Sequence, residues 1–232
     1  MTFEEIFAQL RALGSEQTRA IYLRHGFGTN TFGVSYAHLG QLKKQLVGRG
    51  KDKAHAHHVA QQLWQSGNFD ARTLATMVAD AQQLTPAEAE AWAADVRNHS
   101  LADALAGLVA GTGFAWAQAE AWMQAPDEYR QRLGYALLSR LAQQDATAPD
   151  AVFEPYIVRI EQQLQQAPNR AKEGMNGALL ALGGRSEALR RRVEEAADRI
   201  GPVSIDHGDT ACQTPAIRPY LAKMWARKTV KA

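Results

Sequence analysis

The sequence predicts an all-α fold, a superhelical array of antiparallel helix pairs of the solenoid type. Three observations carry that expectation. Ala, Leu, Gln, Glu and Arg, all strong helix formers, dominate the chain. Alternating β-branched or aromatic runs, which would announce strands, are nearly absent. Helix-breaking residues recur at short intervals: Gly67, Pro86, Gly111-Thr112-Gly113, Pro126, Ala148-Pro149, Pro168 and Gly183-Gly184.

Each element follows from its own start and stop signals. Thr2-Phe3-Glu4-Glu5 opens the first helix with a capping-box pattern, and that helix ends before Gly14. Ser15 caps the next, which ends near Gly26. Gly26 to Val34 carries three glycines and reads as a loop. Ser35 then caps a helix with Leu39, Leu42 and Leu46 on one face. Further helices are expected at about 53–66, 70–82, 86–97, 99–110, 115–124 and 127–143, then at about 150–165, 169–182, 186–200 and 215–227. Paired, these make helix–turn–helix units of roughly 30–40 residues, the range of HEAT-like or ARM-type arrays. No strict repeat is visible, so the units are degenerate. In such an array one helix of each pair lines a concave surface. A plain helical bundle is the alternative reading of the helix count. The expected organisation is one repeat domain over 1–232, with 201–232 as a C-terminal extension made of a loop and the last helix.

Composition bounds the function. Hydrophobic residues make up 46% and the mean hydropathy is −0.35, as in soluble globular chains. No apolar run approaches the ~20 residues of a membrane span. The first five residues carry no basic region, so no signal peptide is expected. The single cysteine, Cys212, forms no internal disulfide, which fits a reducing cytoplasm. A net charge of +2 with a pI of about 8.7 neither demands nor excludes a nucleic-acid partner. The reading is therefore a cytoplasmic monomer with no membrane partner, no cofactor and no metal.

Asp103 draws attention first. It sits in an uncharged helix whose face is formed by Leu101, Leu105 and Leu108, and it projects from roughly the opposite side. Such a carboxylate faces either ordinary water or something cationic. Arg132 lies one position round from the core face of Leu133, Leu137 and Leu141. It reads as an anion contact, or as a snorkelling or ion-paired arginine. Gly174 and Gly177 sit inside a buried helix, where each costs about 1 kcal/mol relative to Ala. That pair implies close helix packing or space for a ligand. His207, Asp209 and Cys212 match no strong zinc spacing, and an ordered loop is the better reading. His55, His57 and His58 lie on one polar helix and are expected to face solvent. No P-loop, dinucleotide fingerprint, nucleophile elbow or HExxH helix is present. Basic residues gather near the N-terminus (Arg19, Arg24, His25, Lys43, Lys44, Arg49, Lys51, Lys53). They gather again near the C-terminus (Arg185, Arg190-Arg191-Arg192, Arg199, Arg218, Lys223, Arg227, Lys228, Lys231). Both clusters read as phosphate contacts or as solvated helix faces, since glutamates are interleaved.

Several segments together resemble the AlkD family of DNA alkylation repair glycosylases. They are Phe32-Gly33-Val34 leading into Ser35, Leu39 and Leu42-Lys43-Lys44, then Ser100-Leu101-Ala102-Asp103, Gln131-Arg132, and Gly174-Met175-Asn176-Gly177-Ala178-Leu179. The resemblance is diffuse and runs to about residue 200. The stretch from Asp206 to Pro215 looks like a tail carried by a subset of proteins grouped with this family. The resemblance implies HEAT-like repeats whose concave face holds duplex DNA, and excision of N3- and N7-alkylated purines without burial of the base in a pocket. On it Asp103 matches the catalytic aspartate and Arg132 a DNA-facing arginine. His99 and Gly177 fall where active members place tryptophans that cradle the damaged nucleotide. His99, Lys43, Lys44 and Arg185 complete the expected DNA-binding set.

The chemistry is compatible with a sparse site. A 7-alkyl purine is cationic and leaves readily, and the sugar it leaves behind resembles an oxocarbenium ion. A carboxylate near that sugar stabilises the growing positive charge and orients water. Trp64, Trp92, Trp116 and Trp122 are further candidates for stacking. The function expected is thus excision of cationic alkylpurines from duplex DNA. The alternatives are a non-catalytic DNA-binding member and a helical protein–protein scaffold.

Overall fold

Capping residues set where most helices begin. The computed structural model describes residues 1–48 and 50–229, so Arg49 and Lys231 of the two basic clusters lie outside the described residues. The described residues form thirteen α-helices and no strand. The first three are α1 (Phe3–Leu13), α2 (Glu16–Arg24) and α3 (Tyr36–Val47). Thr2 and Glu5 make the reciprocal capping box, and Ser15 and Ser35 accept from the third residue beyond them. Next come α4 (Lys53–Gln65), α5 (Phe69–Val78), α6 (Pro86–Asp95) and α7 (His99–Val109), each capped by an Asp, Asn or Thr side chain. The rest are α8 (Ala115–Met123), α9 (Glu128–Gln144), α10 (Glu154–Gln163), α11 (Asn169–Gly183), α12 (Glu187–Ile200) and α13 (Ile217–Thr229). The stretch from 201 to 216 contains no helix.

Two expected helices are shorter in the structure. The one expected over 70–82 stops at Val78, because Asp80 builds a turn. Its carboxylate accepts from the backbone of Gln82 at 3.0 Å and the amide of Gln83 at 3.1 Å. The one expected over 150–165 is α10 flanked by single 3-10 turns at Asp150–Val152 and Leu164–Gln166.

Packing divides the described residues into two compact units, one from Met1 to Phe114 with Gly208–Thr210, the other from Ala115 to His207 with the chain from Ala211 onward. In the first unit α5 is central and packs on α3, α4 and α7. Its core holds Leu39, Leu42, Leu63, Leu74, Leu101 and Leu105. Trp64 and Trp92 are also buried and stack at 4.3 Å, so they serve the core rather than a binding wall. His57 corrects the expectation of a solvent-facing histidine. It is buried, its Nδ1 accepts from the Asp80 backbone at 3.3 Å, and its Nε2 lies 3.4 Å from Glu88. Its position sits on the inner side of α4, next to the exposed His58.

Asp70 organises the glycine-rich loop of this unit. Its side chain is wholly buried. It accepts from Thr31 Oγ1 at 2.7 Å and from the backbone N–H groups of Phe32 at 2.6 Å, Gly33 at 3.3 Å and Val34 at 2.8 Å. Converging N–H groups make the charge tolerable where water is absent. Tyr22 donates to the Val34 carbonyl at 2.7 Å, and burial together with the Asp70 carboxylate pushes its phenol up to about 12.

In the second unit α9 packs along α8 and α11, and α11 and α12 carry α13. Glycine makes the close crossings. A Cβ on Gly134 would sit 2.5 Å from the Met123 nitrogen, and one on Gly174 would sit 3.2 Å from the Arg132 Cα. Trp122 is buried, and Trp116 packs on Phe153 with its N–H 3.4 Å from Asp145. The last helix is tied down at the end of α11. Trp225 Nε1 donates to the Gly183 carbonyl at 2.9 Å and Lys228 Nζ donates to that of Gly184, satisfying acceptors that a helix terminus leaves open. Asn169 bonds Asp206 twice, at 2.8 Å each, and His207 lies 3.2 Å from Thr214 Oγ1, so the tail is an ordered loop.

Candidate functional site

The surface around Asp103 is built by α7, α3 and the loop after α2. Asn98 starts α7 by accepting from the Leu101 backbone at 2.9 Å. Leu101, Leu105 and Leu108 point into the core, which leaves Asp103 half-buried on another face. His99 and Ser100 stand four and three residues before Asp103, so the three share one side of the helix. A row of rings runs outward from the core to that side. Phe69 packs edge-on to Tyr22 at 5.1 Å and stacks on Phe27 at 4.6 Å. Phe27 meets His99 edge-on at 5.3 Å, and His25 lies 6.4 Å from His99. His99 is therefore held by aromatic neighbours and remains half-exposed.

Tyr36 joins α3 to this surface. Its hydroxyl is 2.9 Å from Ser100 Oγ, yet the residue is 51% exposed, so its ring faces outward. Lys43 lies seven residues beyond Tyr36 and shares its helix face, with Lys44 beside it. Both lysines are exposed. Asp103, His99, Lys43 and Lys44 of the expected set all belong to the first unit, where Tyr36 meets Ser100 and Phe27 meets His99. Sequence reasoning passed over Tyr36 and Phe27 because nothing local marks a ring as surface-facing.

The two arginines of the set belong to the second unit and are committed to their own chain. Arg132 is 6% exposed and its Nη1 lies 2.7 Å from Glu173, which also pairs with Arg170 at 2.9 Å. The ion-paired reading is the one observed. Arg185 spends its fork on the turn after α9. Nη1 donates to the carbonyls of Ala142 and Asp145 at 2.8 Å each, Nη2 donates to that of Ala148, and Nε donates to Asp150 at 3.1 Å. Its guanidinium also covers the Phe153 ring at 4.7 Å. Four of its five N–H donors are thus spent within the chain. Gly177 is exposed, and a Cβ there would meet nothing within 4 Å.

Among the described residues no three His, Cys, Asp or Glu side chains gather as metal ligands, and no helix is long and apolar enough to cross a membrane. The first unit offers a carboxylate, ring edges and two exposed cationic side chains. Those are the elements needed to hold a polyanion and to stabilise positive charge developing near it.

Known proteins resemble the chain along nearly its whole length. The family model described as DNA alkylation repair enzyme matches residues 6–208. An uncharacterized protein of Listeria monocytogenes is 26% identical over 227 residues, covering 96% of this chain and 97% of the relative. An uncharacterized protein of Listeria innocua matches to the same extent. A solved structure described as a new family of proteins related to the HEAT-like repeat DNA glycosylases, with affinity for branched DNA structures, superposes with a TM-score of 0.88. It covers 98% of this chain and 95% of its own, at 21% identity. The fold is accordingly the HEAT-like repeat array expected from the spacing of the breakers.

Proposed function

From the premise that the chain belongs to the DNA alkylation repair enzyme family, we propose that it binds duplex DNA and excises cationic N3- or N7-alkylated purines. Asp103 is the catalytic carboxylate of this reading. The observation that carries it is the half-buried Asp103 on one helix side with His99 and Ser100, beside an outward-facing Tyr36. The alkylated base leaves as a neutral purine, taking the bonding electrons of the glycosidic bond. Asp103 stabilises the sugar cation formed and orients the water that captures it, whose proton passes to the carboxylate or to solvent. Lys43 and Lys44 hold backbone phosphates. Arg132 and Arg185 support this indirectly, by fixing helices rather than by touching DNA. Release of 7-methylguanine from methylated duplex DNA by the purified protein tests the reading.

Two observations favour a second reading, binding of distorted or branched DNA without excision. Gly177 supplies no ring where the AlkD resemblance implies one, and the solved relative is described by affinity for branched DNA structures. Salt-sensitive binding of duplex and branched DNA with no release of base would select it.

A further inference from the structure

The second unit holds a pocket of about 320 Å³ where α11, the end of α12 and the start of α13 meet the segment that joins the last two helices. Asn176 of α11 lines it, and its walls include Pro202, Val203, Ile217 and Pro219. Asn176 is 2% exposed. Its Nδ2 donates to the Pro215 carbonyl at 3.2 Å. Its Oδ1 is buried and has no hydrogen-bond partner among the described residues.

The orientation of this amide is fixed. A proline carbonyl only accepts, so the NH2 group must face it and the oxygen is left to find a donor elsewhere. Buried acceptors are almost always paired, and leaving one bare is costly. The pocket beside Asn176 is far larger than one water needs, and its hydrocarbon walls offer a water few further bonds. The missing donor therefore belongs to a larger guest. That guest needs no charge, because the charges at the rim are spent on each other. Arg218 donates to Asp198 at 2.6 and 2.5 Å and lies 3.4 Å from Glu194. The walls suit a flat ring, since prolines pack well on aromatic faces. Their locked φ also keeps the pocket formed before the guest arrives.

We infer that this pocket binds an uncharged aromatic heterocycle of the indole type, whose ring N–H donates to Asn176 Oδ1 between the proline walls. Such a group comes either as a free heterocycle or as a tryptophan side chain of another polypeptide. The volume lies at the lower end of small-molecule sites and fits a bicyclic ring. The inference is independent of the DNA reading, since none of the residues assigned to DNA lines the pocket. It concerns binding alone and involves no bond breaking.

Calorimetric titration of the purified protein with indole, benzofuran and N-acetyltryptophanamide tests it. Benzofuran keeps the shape of indole but carries an acceptor oxygen in place of the N–H. Indole should saturate the protein below about 5 mM and benzofuran should bind about tenfold more weakly, the scale of one hydrogen bond to a buried acceptor. Asn176→Leu should bring indole down to the benzofuran level. Ala197 also lines the pocket. Ala197→Phe fills it from α12, leaves the bond between Asn176 and Pro215 in place, and should remove binding of both rings. Circular dichroism and the thermal midpoint check folding, and if Asn176→Leu does not fold, Ala197→Phe and the wild-type ratio of indole to benzofuran decide. Binding of N-acetyltryptophanamide as tight as that of indole supports a tryptophan side chain as the guest, and its exclusion supports a free heterocycle. Equal wild-type affinity for indole and benzofuran overturns the inference. So does an Asn176→Leu protein that keeps the tenfold preference, or indole binding that survives Ala197→Phe. No saturable binding of any probe also overturns it and leaves Asn176 to a water only.

Discussion

The loop before α3 and the turn after α9 are organised by charges of opposite sign. In the first, backbone N–H groups converge, and the buried carboxylate of Asp70 accepts from them. In the second, carbonyls converge, and the guanidinium of Arg185 donates to them. The difference teaches that backbone geometry selects the sign of the anchoring charge. It also separates two uses of a charge on a helical scaffold. Asp70 and Arg185 are consumed by backbone and hold the fold. Lys43 and Lys44 stay exposed, and Asp103 stays half-exposed, where a ligand can be met.

The comparison is broken most severely at Asp70. Asp70→Asn replaces an acceptor-only group by one with a donor pointing at backbone N–H, and should cost about 3 kcal/mol. Urea unfolding measures it, and a cost below that of an ordinary surface change would deny Asp70 its role. Arg185→Ala should cost about 2 kcal/mol, because three carbonyls lose their donor while solvent reaches part of the site. Arg185→Lys should recover little of that, since a point charge does not replace the fork.

High pH probes the two units together. Burial pushes the phenol of Tyr135 in the second unit up to about 12, as it does that of Tyr22 in the first. An unfolded phenol ionises near 10. The stability these groups contribute is therefore full below about pH 10 and is lost as pH rises toward about 12. The urea midpoint should fall over that window, and the rise in phenolate absorbance should accompany loss of helicity. Ionisation of all tyrosines near 10 without unfolding would contradict their burial.

Smaller effects sharpen the contrast. Gly177→Ala should raise stability by about 1 kcal/mol, whereas Gly174→Ala should lower it, because only the latter meets a neighbouring helix. Lys43→Ala and Lys44→Ala should each weaken duplex binding about threefold and lower the salt dependence by up to about one phosphate contact, with stability unchanged. Titration of labelled duplex at two salt concentrations measures this, and a salt slope unaltered by either change would place the phosphates elsewhere.

Most of the fold was legible because its signals are local. Thr2 with Glu5, Ser15 and Ser35 announce helix starts in the sequence and cap them in the structure. Asp103 and its helix face were legible for the same reason. What escaped is non-local. The partners of Arg185 lie 35 to 43 residues away, and those of Asp70 lie 36 to 39 residues away, so no spacing rule reveals that either is spent on the fold. His57 was misjudged because its neighbours His55 and His58 are exposed and only one face of α4 turns inward. The Gly174 and Gly177 pair is legible as a pair, and only Gly174 serves close packing. Which glycine packs and which leaves space depends on where α9 passes.

The most direct measurement of the central claim is single-turnover release of 7-methylguanine from methylated duplex DNA by the wild-type protein and by Asp103→Asn. The substitution keeps the shape of the side chain and removes its charge. The wild-type protein should release the base, and Asp103→Asn should be slower by about 100-fold or more, with duplex affinity and thermal midpoint close to wild type. Release at the wild-type rate by Asp103→Asn, or none by the wild-type protein above the rate in buffer, would contradict a catalytic Asp103.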